Sequence, residues 1–183
     1  MGFHTYDAER ADALEDPGRY EYVSVDELLA LFDPEGEVAD LGSGTGFYTD
    51  DVAPYAETIH AVDVQDEMHD FYREEGTPDN VRFVTAGVED LPFADGALDR
   101  AFSTMTYHEF ASAAALTELA RVVRPGGLVG IADWSAEGEG ESGPPRSERF
   151  GVADAVSAFE DAGFTVERAR ERRETFVLRA VLE

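Results

Sequence analysis

The chain of 183 residues is long enough for one domain with a full hydrophobic core and too short for two domains of ordinary size. Its 40 acidic and 14 basic residues leave a formal net charge of −26, and the lack of cysteine excludes disulfides, thiolate metal sites and a cysteine nucleophile. A hydrophobic content of 43% with 11% aromatic residues argues against a disordered acidic chain.

The strong acidity predicts mostly solvated carboxylates, because the chain has no lysine with which to form Glu/Lys pairs on helix surfaces. Self-repulsion of this size is tolerated in concentrated salt, where the screening length falls to about 3 Å in 1 M salt. We therefore expect a cytoplasmic protein of a halophile.

Neither a nucleic-acid partner nor a membrane is expected. Phosphate contacts need clustered bases, and the dense cluster present is typical of strand-edge or hairpin charges: Arg168, Arg170, Arg172 and Arg173. No apolar run approaches the length of a membrane span, and the first residues do not have the pattern of a signal sequence.

The first elements in chain order are helical. Residues 1–34 are expected to form a helical lid segment, within which Ser24 and Glu27 make a capping box ahead of the helical apolar pattern of "VDELLALF". Short apolar runs then alternate with helical patterns, which predicts strands at 38–41 and 58–62 and helices from about residue 46 and over 66–75.

The second half continues the alternation and then changes. We predict strands at 81–85, 98–103 and 127–133, a helix at 112–123, a mobile Gly/Pro-rich loop at 135–149, a helix closed by Gly163, and a terminal antiparallel pair at 165–170 and 175–181. Pro125-Gly126-Gly127 is predicted to end a helix and to start the fifth strand. The pattern indicates a single α/β domain, 1–183, with five parallel strands.

The stretch "VADLGSGTGF", residues 38–47, places Gly42, Gly44 and Gly46 directly after a strand. Ligands of an open parallel sheet lie outside the carboxyl ends of its strands, and glycine lets the backbone approach a ligand closely. The spacing is one residue shorter than the dinucleotide fingerprint, and a phosphate loop would need a lysine. The negative charge of Asp40, just before the turn, would repel a pyrophosphate but is compatible with a cation.

A second acid, Asp63, ends the second predicted strand in "HAVDVQ". A carboxylate at this position can accept hydrogen bonds from both hydroxyls of a ribose. The glycine turn and this acid together favour a nucleoside cofactor without a pyrophosphate.

Four segments in order resemble the class I S-adenosylmethionine-dependent methyltransferases, and in particular the small-molecule branch that includes enzymes of the ubiquinone and menaquinone type. The segments are "VADLGSGTG", "AVDVQDEM", "VTAGVEDLPFADGALDRAFSTMTYHEF" and "ELARVVRPGGLVGIAD". The resemblance implies a Rossmann-like sandwich, mostly parallel with an antiparallel C-terminal strand. It also implies S-adenosyl-L-methionine as cofactor, S-adenosyl-L-homocysteine as product, and direct methyl transfer to a small-molecule acceptor.

The resemblance implies a set of cofactor-binding residues at the strand ends. Asp40 and the backbone of Gly42, Ser43 and Gly44 would lie near the methionine end, and Asp63 would bind the ribose.

The resemblance also implies an adenine pocket. Val64 and Val88 would flank the ring. The family often has an acid for the adenine amino group where this chain has Gly87, so either Glu89 or Asp90, or backbone groups alone, would replace it.

Residues after the fourth strand are the candidates for the reaction itself. Ser103 and Thr104 would face the sulfonium. Holding the acceptor in line supplies most of the catalysis, and a base is needed only where the acceptor carries a proton of high pKa. His108 is the candidate for that base or for acceptor contact, and Tyr107 for lining the pocket; packed core positions are the alternative for both.

Asp133 and Trp134, where the fifth strand ends, are candidates for the acceptor wall, with the lid segment and the 135–149 loop around it. Arg146 and Arg149 either orient an anionic acceptor or offset nearby acids. The histidines show no metal-ligand spacing, so no metal site is expected. A non-catalytic cofactor-binding module and a nicotinamide-dependent oxidoreductase are the alternative functions.

Overall fold

Seven strands form one sheet in a computed structural model that describes residues 7–183, apart from the side chains of residues 8 and 9. The strands are β1 (Glu37–Leu41), β2 (Thr58–Asp63), β3 (Val81–Thr85), β4 (Leu98–Thr104), β5 (Val123–Trp134), β6 (Phe164–Glu171) and β7 (Thr175–Leu182). Their order is β3-β2-β1-β4-β5-β7-β6. β1 to β5 run parallel, and β7 is antiparallel to β5 and to β6. The predicted α/β class is confirmed, with five parallel strands and an antiparallel end.

Six α-helices of the described part of the chain cover the two faces of the sheet. They are α1 (Val25–Phe32), α2 (Phe47–Val52), α3 (Asp66–Glu75), α4 (Tyr107–Phe110), α5 (Ala113–Val122) and α6 (Val152–Asp161). Apolar residues of α1, α2 and α3 form one buried cluster, and those of α4, α5 and α6 form another on the opposite face. Burial of both faces explains why the central strands read as continuous apolar runs.

The described part of the predicted lid segment is helical. Short 3-10 helices span Ala8–Glu15 and Pro17–Glu21, and α1 follows. The hydroxyl of Ser24 accepts a hydrogen bond from the backbone N–H of Glu27 at 3.2 Å, which is the cap predicted from the sequence. The first six residues of the segment, including His4, lie outside the described part of the chain.

The turn predicted at Pro125-Gly126-Gly127 has a different place in the structure. α5 already ends at Val122, and β5 begins at Val123, so the three residues lie within a bulged strand whose register shifts against β4. The prediction that this turn ends the helix was therefore wrong. A proline disfavours helical geometry in the residue before it. Here the chain is already extended at Val123, two residues before Pro125.

The basic cluster lies at the strand edge and in the hairpin, as the sequence suggested. Arg168 and Arg170 are exposed on β6, the outermost strand. In the hairpin between β6 and β7, Arg172 pairs with Glu27 and Arg173 with acids of the 135–149 loop. Within residues 7–183, no helix has the length and apolar character needed to cross a membrane.

The parallel sheet places the predicted site. β1 lies between β2 and β4, which is where the order of the strands reverses. The carboxyl ends of these strands meet at one edge, and that edge is where open α/β sheets bind ligands.

Candidate functional site

The glycine turn after β1 is a tight left-handed turn held against β2. Gly42, Gly44 and Gly46 have φ angles of +80°, +54° and +90°. The backbone N–H groups of Gly42 and Ser43 both donate to the carbonyl of Val62, at 2.8 and 2.9 Å. Glycine is needed here because L residues rarely adopt such φ angles.

A side chain at Gly42 is expected to destabilise the fold. Its Cβ would lie 2.3 Å from Cγ2 of Thr106, so Gly42→Ala combines backbone strain with overpacking. We expect a loss of about 2–4 kcal/mol in the free energy of unfolding, measured by chemical denaturation. Gly163→Ala is the matched control, because Gly163 has φ +95° with nothing within 4 Å of the added Cβ. Equal losses in the two variants would contradict a clash with Thr106.

Asp63 connects the end of β2 to the glycine turn. One carboxylate oxygen accepts the backbone N–H of Gly44, and the other accepts that of Gln65, both at 2.9 Å. The side chain is only partly buried, and a carboxylate oxygen can accept more than one hydrogen bond. Asp63 therefore orders the turn and still has acceptor capacity for a ligand.

Asp40 lies beneath the glycine turn with one unsatisfied oxygen. Its Oδ2 accepts the hydroxyl of Thr49 at 2.7 Å, whereas Oδ1 has no hydrogen-bond partner among residues 7–183. Burial raises the pKa of Asp40 to about 7, although the hydrogen bond from Thr49 and the charge of Arg19 lower it. The hydroxyl of Ser43 is also buried without a described partner. Two orphaned polar groups at one turn indicate that a polar ligand completes it.

The predicted adenine residues differ in exposure. Val64 is 50% exposed and Val88 only 6%, so Val64 offers the open apolar surface while Val88 packs into the core. A Cβ on Gly87 would lie 3.9 Å from Val64, which leaves this side open. The carboxylate of Glu89 accepts the hydroxyl of Ser112 at 2.8 Å, at the start of α5. Its predicted contact with an adenine amino group would require this bond to be exchanged.

The end of β4 uses its polar side chains to fix the backbone. The fully buried hydroxyl of Ser103 donates to the carbonyl of Leu41 at 2.7 Å, so it joins β4 to β1. Thr104 is 4% exposed. The contact of both residues with a sulfonium stays a prediction, which the bond to Leu41 does not favour for Ser103.

Sequence reasoning missed the conformation of Met105, which follows β4. Its φ is +58°, rare for a residue with a side chain. Such outliers cluster at functional sites. The neighbouring Thr106 hydroxyl lies 3.3 Å from the carbonyl of Gly42, which joins this bend to the glycine turn. No sequence signal marks a methionine for this conformation.

His108 and Asp133 form a buried pair at the ends of β4 and β5. Asp133 is fully buried and accepts both the backbone N–H of His108, at 2.6 Å, and its ring Nδ1, at 3.0 Å. This bond holds the ring proton on Nδ1 and leaves Nε2 without a hydrogen bond from the described residues. Burial lowers the pKa of His108, but the hydrogen bond and charge of Asp133, with the charges of Glu109 and Glu148, raise it overall. An imidazole held by a carboxylate in this way is the arrangement of a general base.

Glu109 is a second residue that the sequence analysis did not single out. One of its carboxylate oxygens lies 3.9 Å from Nε2 of His108, and its side chain is 26% exposed. Burial raises the pKa of Glu109 to about 7; His108 lowers it, and the charges of Asp63 and Asp133 raise it. Glu109 therefore lies within electrostatic reach of both Asp63 and the His108–Asp133 pair. Its position directly after His108 was the available signal.

Tyr107 is placed in the core beside α4 and α6. It is 1% exposed, and its ring centroid lies 5.5 Å from that of Phe110 and 6.0 Å from that of Phe159. Burial raises its pKa strongly. A reactive role for Tyr107 stays a prediction, and this packing favours a structural role instead.

The described N-terminal residues pack on the glycine turn. A Cβ on Gly44 would meet the side chain of Leu14 at 3.3 Å, and the hydroxyl of Thr45 donates to the carboxylate of Glu15. Arg19 donates to the carbonyl of Leu14 at 2.7 Å, which holds the segment in this shape. The segment therefore covers the turn, as a lid would.

The 135–149 loop is bonded to itself and to Glu174, which directly precedes β7. Arg146 donates twice to one loop carbonyl, and Arg149 donates to three. The carboxylate of Glu174 accepts two backbone N–H groups of the loop. The predicted mobility stays a prediction, and these bonds do not favour it. They also leave the two arginines poorly placed to orient an anionic acceptor.

Trp134 lies where the loop and the N-terminal segment meet. Its ring centroid is 4.7 Å from that of Tyr22, and the guanidinium of Arg149 lies 5.5 Å from it. The hydroxyl of Tyr22 donates to that of Ser142 at 2.7 Å. The two segments thus join over the end of β5, next to Asp133.

Comparison with known proteins assigns the family. Residues 39–131 match the protein family described as "Methyltransferase domain". The "Biotin biosynthesis bifunctional protein BioHC" of Cellvibrio japonicus is 39% identical over 89 residues, which are 48% of this chain and 18% of that protein. The "Malonyl-[acyl-carrier protein] O-methyltransferase" of Pectobacterium atrosepticum is 33% identical over 112 residues, 60% of this chain and 44% of that protein. The chain thus spans less than half the length of these two relatives.

A solved structure agrees over nearly the whole chain. A SAM-dependent methyltransferase from Aquifex aeolicus superposes with a TM-score of 0.87 at 29% identity, covering 98% of this chain and 100% of that one.

The chain therefore belongs to the methyltransferase-domain family and has the fold of its S-adenosylmethionine-dependent members, with S-adenosylmethionine as cofactor. The site fits this cofactor on three observations. The glycine turn has three positions without a side chain of their own, Asp40 and Ser43 hold unsatisfied polar atoms at this turn, and Asp63 retains acceptor capacity.

Proposed function

We propose that this protein transfers a methyl group from S-adenosylmethionine to a small-molecule acceptor by direct in-line displacement. The His108–Asp133 pair carries the proposal, because it puts an oriented base beside the cofactor edge of the sheet. A module that only bound the cofactor would have no need to hold a histidine nitrogen in this way.

The methionine and ribose parts of the cofactor would be held by residues at the ends of β1 and β2. Oδ1 of Asp40 would pair with the methionine ammonium, and the backbone of Gly42, Ser43 and Gly44 would border the methionine end. Asp63 would accept the ribose hydroxyls with its remaining lone pairs.

The adenine would rest against the exposed face of Val64, beside Gly87 and the backbone of Val88. Its amino group would then be bound by backbone groups or by Glu89 after exchange of the bond with Ser112.

Bound S-adenosylmethionine supplies a methyl group already activated by a positively charged sulfur. The protein's part is to hold the acceptor in line, and such positioning contributes several kcal/mol. His108 takes a proton through Nε2 where the acceptor has one to lose, and Asp133 stabilises the imidazolium that forms.

A small acceptor is supported by the two segments that join over Asp133. Leu14 and Glu15 cover the glycine turn, and Tyr22 bonds to the 135–149 loop. Segments that cover a site in this way suit a compact molecule that displaces water from the reacting atoms.

The test is isothermal calorimetry with S-adenosylmethionine, S-adenosylhomocysteine and NAD on the folded protein. We expect binding of the first two and not of NAD, followed by methylation of at least one compound in an acceptor panel. Binding without any turnover would favour a non-catalytic module, and selective binding of NAD would favour an oxidoreductase. The same titrations at low salt and in about 1 M salt test whether the protein is adapted to concentrated salt. Screening of the −26 charge predicts that the protein is folded and binds the cofactor at the higher concentration.

A further inference from the structure

The acceptor side of the proposed site has an unbalanced charge. The side chain of Glu109 is 26% exposed, and the charges of Asp63 and Asp133 both act on it. The charges that act on Glu109 are those of His108, Asp63 and Asp133, and of these only His108 can be positive. His108 already shares its proton with Asp133 at 3.0 Å. Among residues 7–183, Glu109 therefore has no ion pair other than the contact with His108, whose ring is already held by Asp133.

Nearby arginines do not supply that cation. Arg146 donates to the carbonyl of Ala136, and the side chain of Arg149 is 1% exposed and donates to loop carbonyls. The ion pair of Arg149 is with Glu174, at 3.5 Å. The side chains of Arg146 and Arg149 therefore bind carbonyl groups of the loop.

Burial makes the ionised form of Glu109 costly, which is why its pKa is raised to about 7, and a cationic ligand would offset that cost. Glu109 is not one of the solvated surface acids that account for most of the chain's charge, because three quarters of its side chain is covered. Its carboxylate lies 3.9 Å from Nε2 of His108, so an acceptor that gives its proton to this nitrogen would lie next to Glu109.

We propose that the acceptor is an amine and that Glu109 binds its ammonium form, an inference that rests on the proposed methyl transfer. The ammonium group loses a proton to Nε2 of His108. The freed lone pair forms the new bond to the methyl carbon, and the carbon–sulfur bond breaks with its electron pair kept by sulfur. The product is a methylated ammonium ion, which again carries a positive charge beside Glu109.

The direction of charge movement supports an amine over an oxyanion. As the new bond forms, an amine nitrogen gains positive charge, which the Glu109 carboxylate stabilises most in the transition state. A carboxylate or phenolate acceptor would bring negative charge next to Glu109 and Asp133, and like charges at short range disfavour binding.

The test uses three probes that share a phenyl ring: benzylamine, benzyl alcohol and benzoate. Their affinities are measured by calorimetry on the protein loaded with S-adenosylhomocysteine. We expect benzylamine to bind at least tenfold more tightly than either other probe, and Glu109→Gln to remove that preference. Glu160→Gln is the control, because it removes the same charge from an exposed position of α6 and should change nothing.

The outcomes separate this inference from the function on which it rests. If S-adenosylhomocysteine does not bind the wild type, the proposed function fails first. If it binds and benzylamine shows no preference, or no probe binds detectably, the amine inference is wrong while the cofactor site stands. If Glu109→Gln weakens binding of S-adenosylmethionine but not of S-adenosylhomocysteine, Glu109 serves the sulfonium, and the inference is overturned.

Discussion

Asp63→Ala is expected to weaken S-adenosylmethionine binding at least tenfold and up to about a hundredfold. The change removes the proposed ribose contact and two observed charge-assisted bonds, to the N–H groups of Gly44 and Gln65. Each bond of this type is worth about 1.5–3 kcal/mol. Calorimetry measures the affinity. Thermal melting without cofactor measures how far the loss of the two observed bonds destabilises the free protein.

Two control variants sharpen the Asp63 experiment. Asp79→Ala removes one negative charge from an exposed loop before β3 and should leave the affinity unchanged. Asp63→Asn keeps the shape with one oxygen, so its affinity should fall between those of the wild type and Asp63→Ala. Wild-type affinity in Asp63→Ala would show that the ribose assignment is wrong.

Asp133→Asn is expected to lower the methyl-transfer rate by about 10²-fold to 10⁴-fold for any acceptor that needs a base. An asparagine keeps the size of the side chain but loses the charge that orients His108 and stabilises its protonated form. Cofactor affinity should stay within about twofold of the wild type, because Asp133 makes no proposed cofactor contact. The rate is measured on the acceptor that the panel identifies.

The titration of His108 tests the same pair, and NMR follows it without an acceptor. Asp133, Glu109 and Glu148 raise the pKa of His108, so neutral Nε2, and with it the rate, appears as pH rises through a value above that of an ordinary histidine. Asp133→Asn removes the leading cause and should move the His108 titration to lower pH, as followed by NMR. Asp161→Asn, at the exposed end of α6, should not. An unmoved titration in Asp133→Asn would break the proposed link.

Most of the fold was predictable because it is encoded in local patterns. The central strands are apolar on both faces, and their alternation with helical stretches predicted that they run parallel. The cap at Ser24 was predictable from Ser24 and Glu27, three residues apart. The bulge in β5 was not predictable in this way. It depends on the pairing of Val123 with Leu98, a contact between distant parts of the chain.

The candidate site was predictable where the backbone demands a residue type. Positive φ angles require Gly42 and Gly46, and the sequence displays both. The directions of side chains were harder to predict, because they depend on tertiary neighbours. Ser103 donates to the carbonyl of Leu41, and the pKa of Glu109 depends on burial, on His108 and on Asp63.

One carboxylate would serve both halves of the proposed cofactor cleft, because Asp63 accepts the N–H of Gly44 at the amino-acid half and its free lone pairs would bind the sugar half. Adenosine that occupies the sugar half would immobilise Asp63 and, through it, the amide that borders the other half. Methionine would then bind next to a backbone that is already ordered, so its binding would cost less conformational entropy. Offered as separate fragments, the two should bind with positive cooperativity, and each should raise the affinity of the other by the same factor.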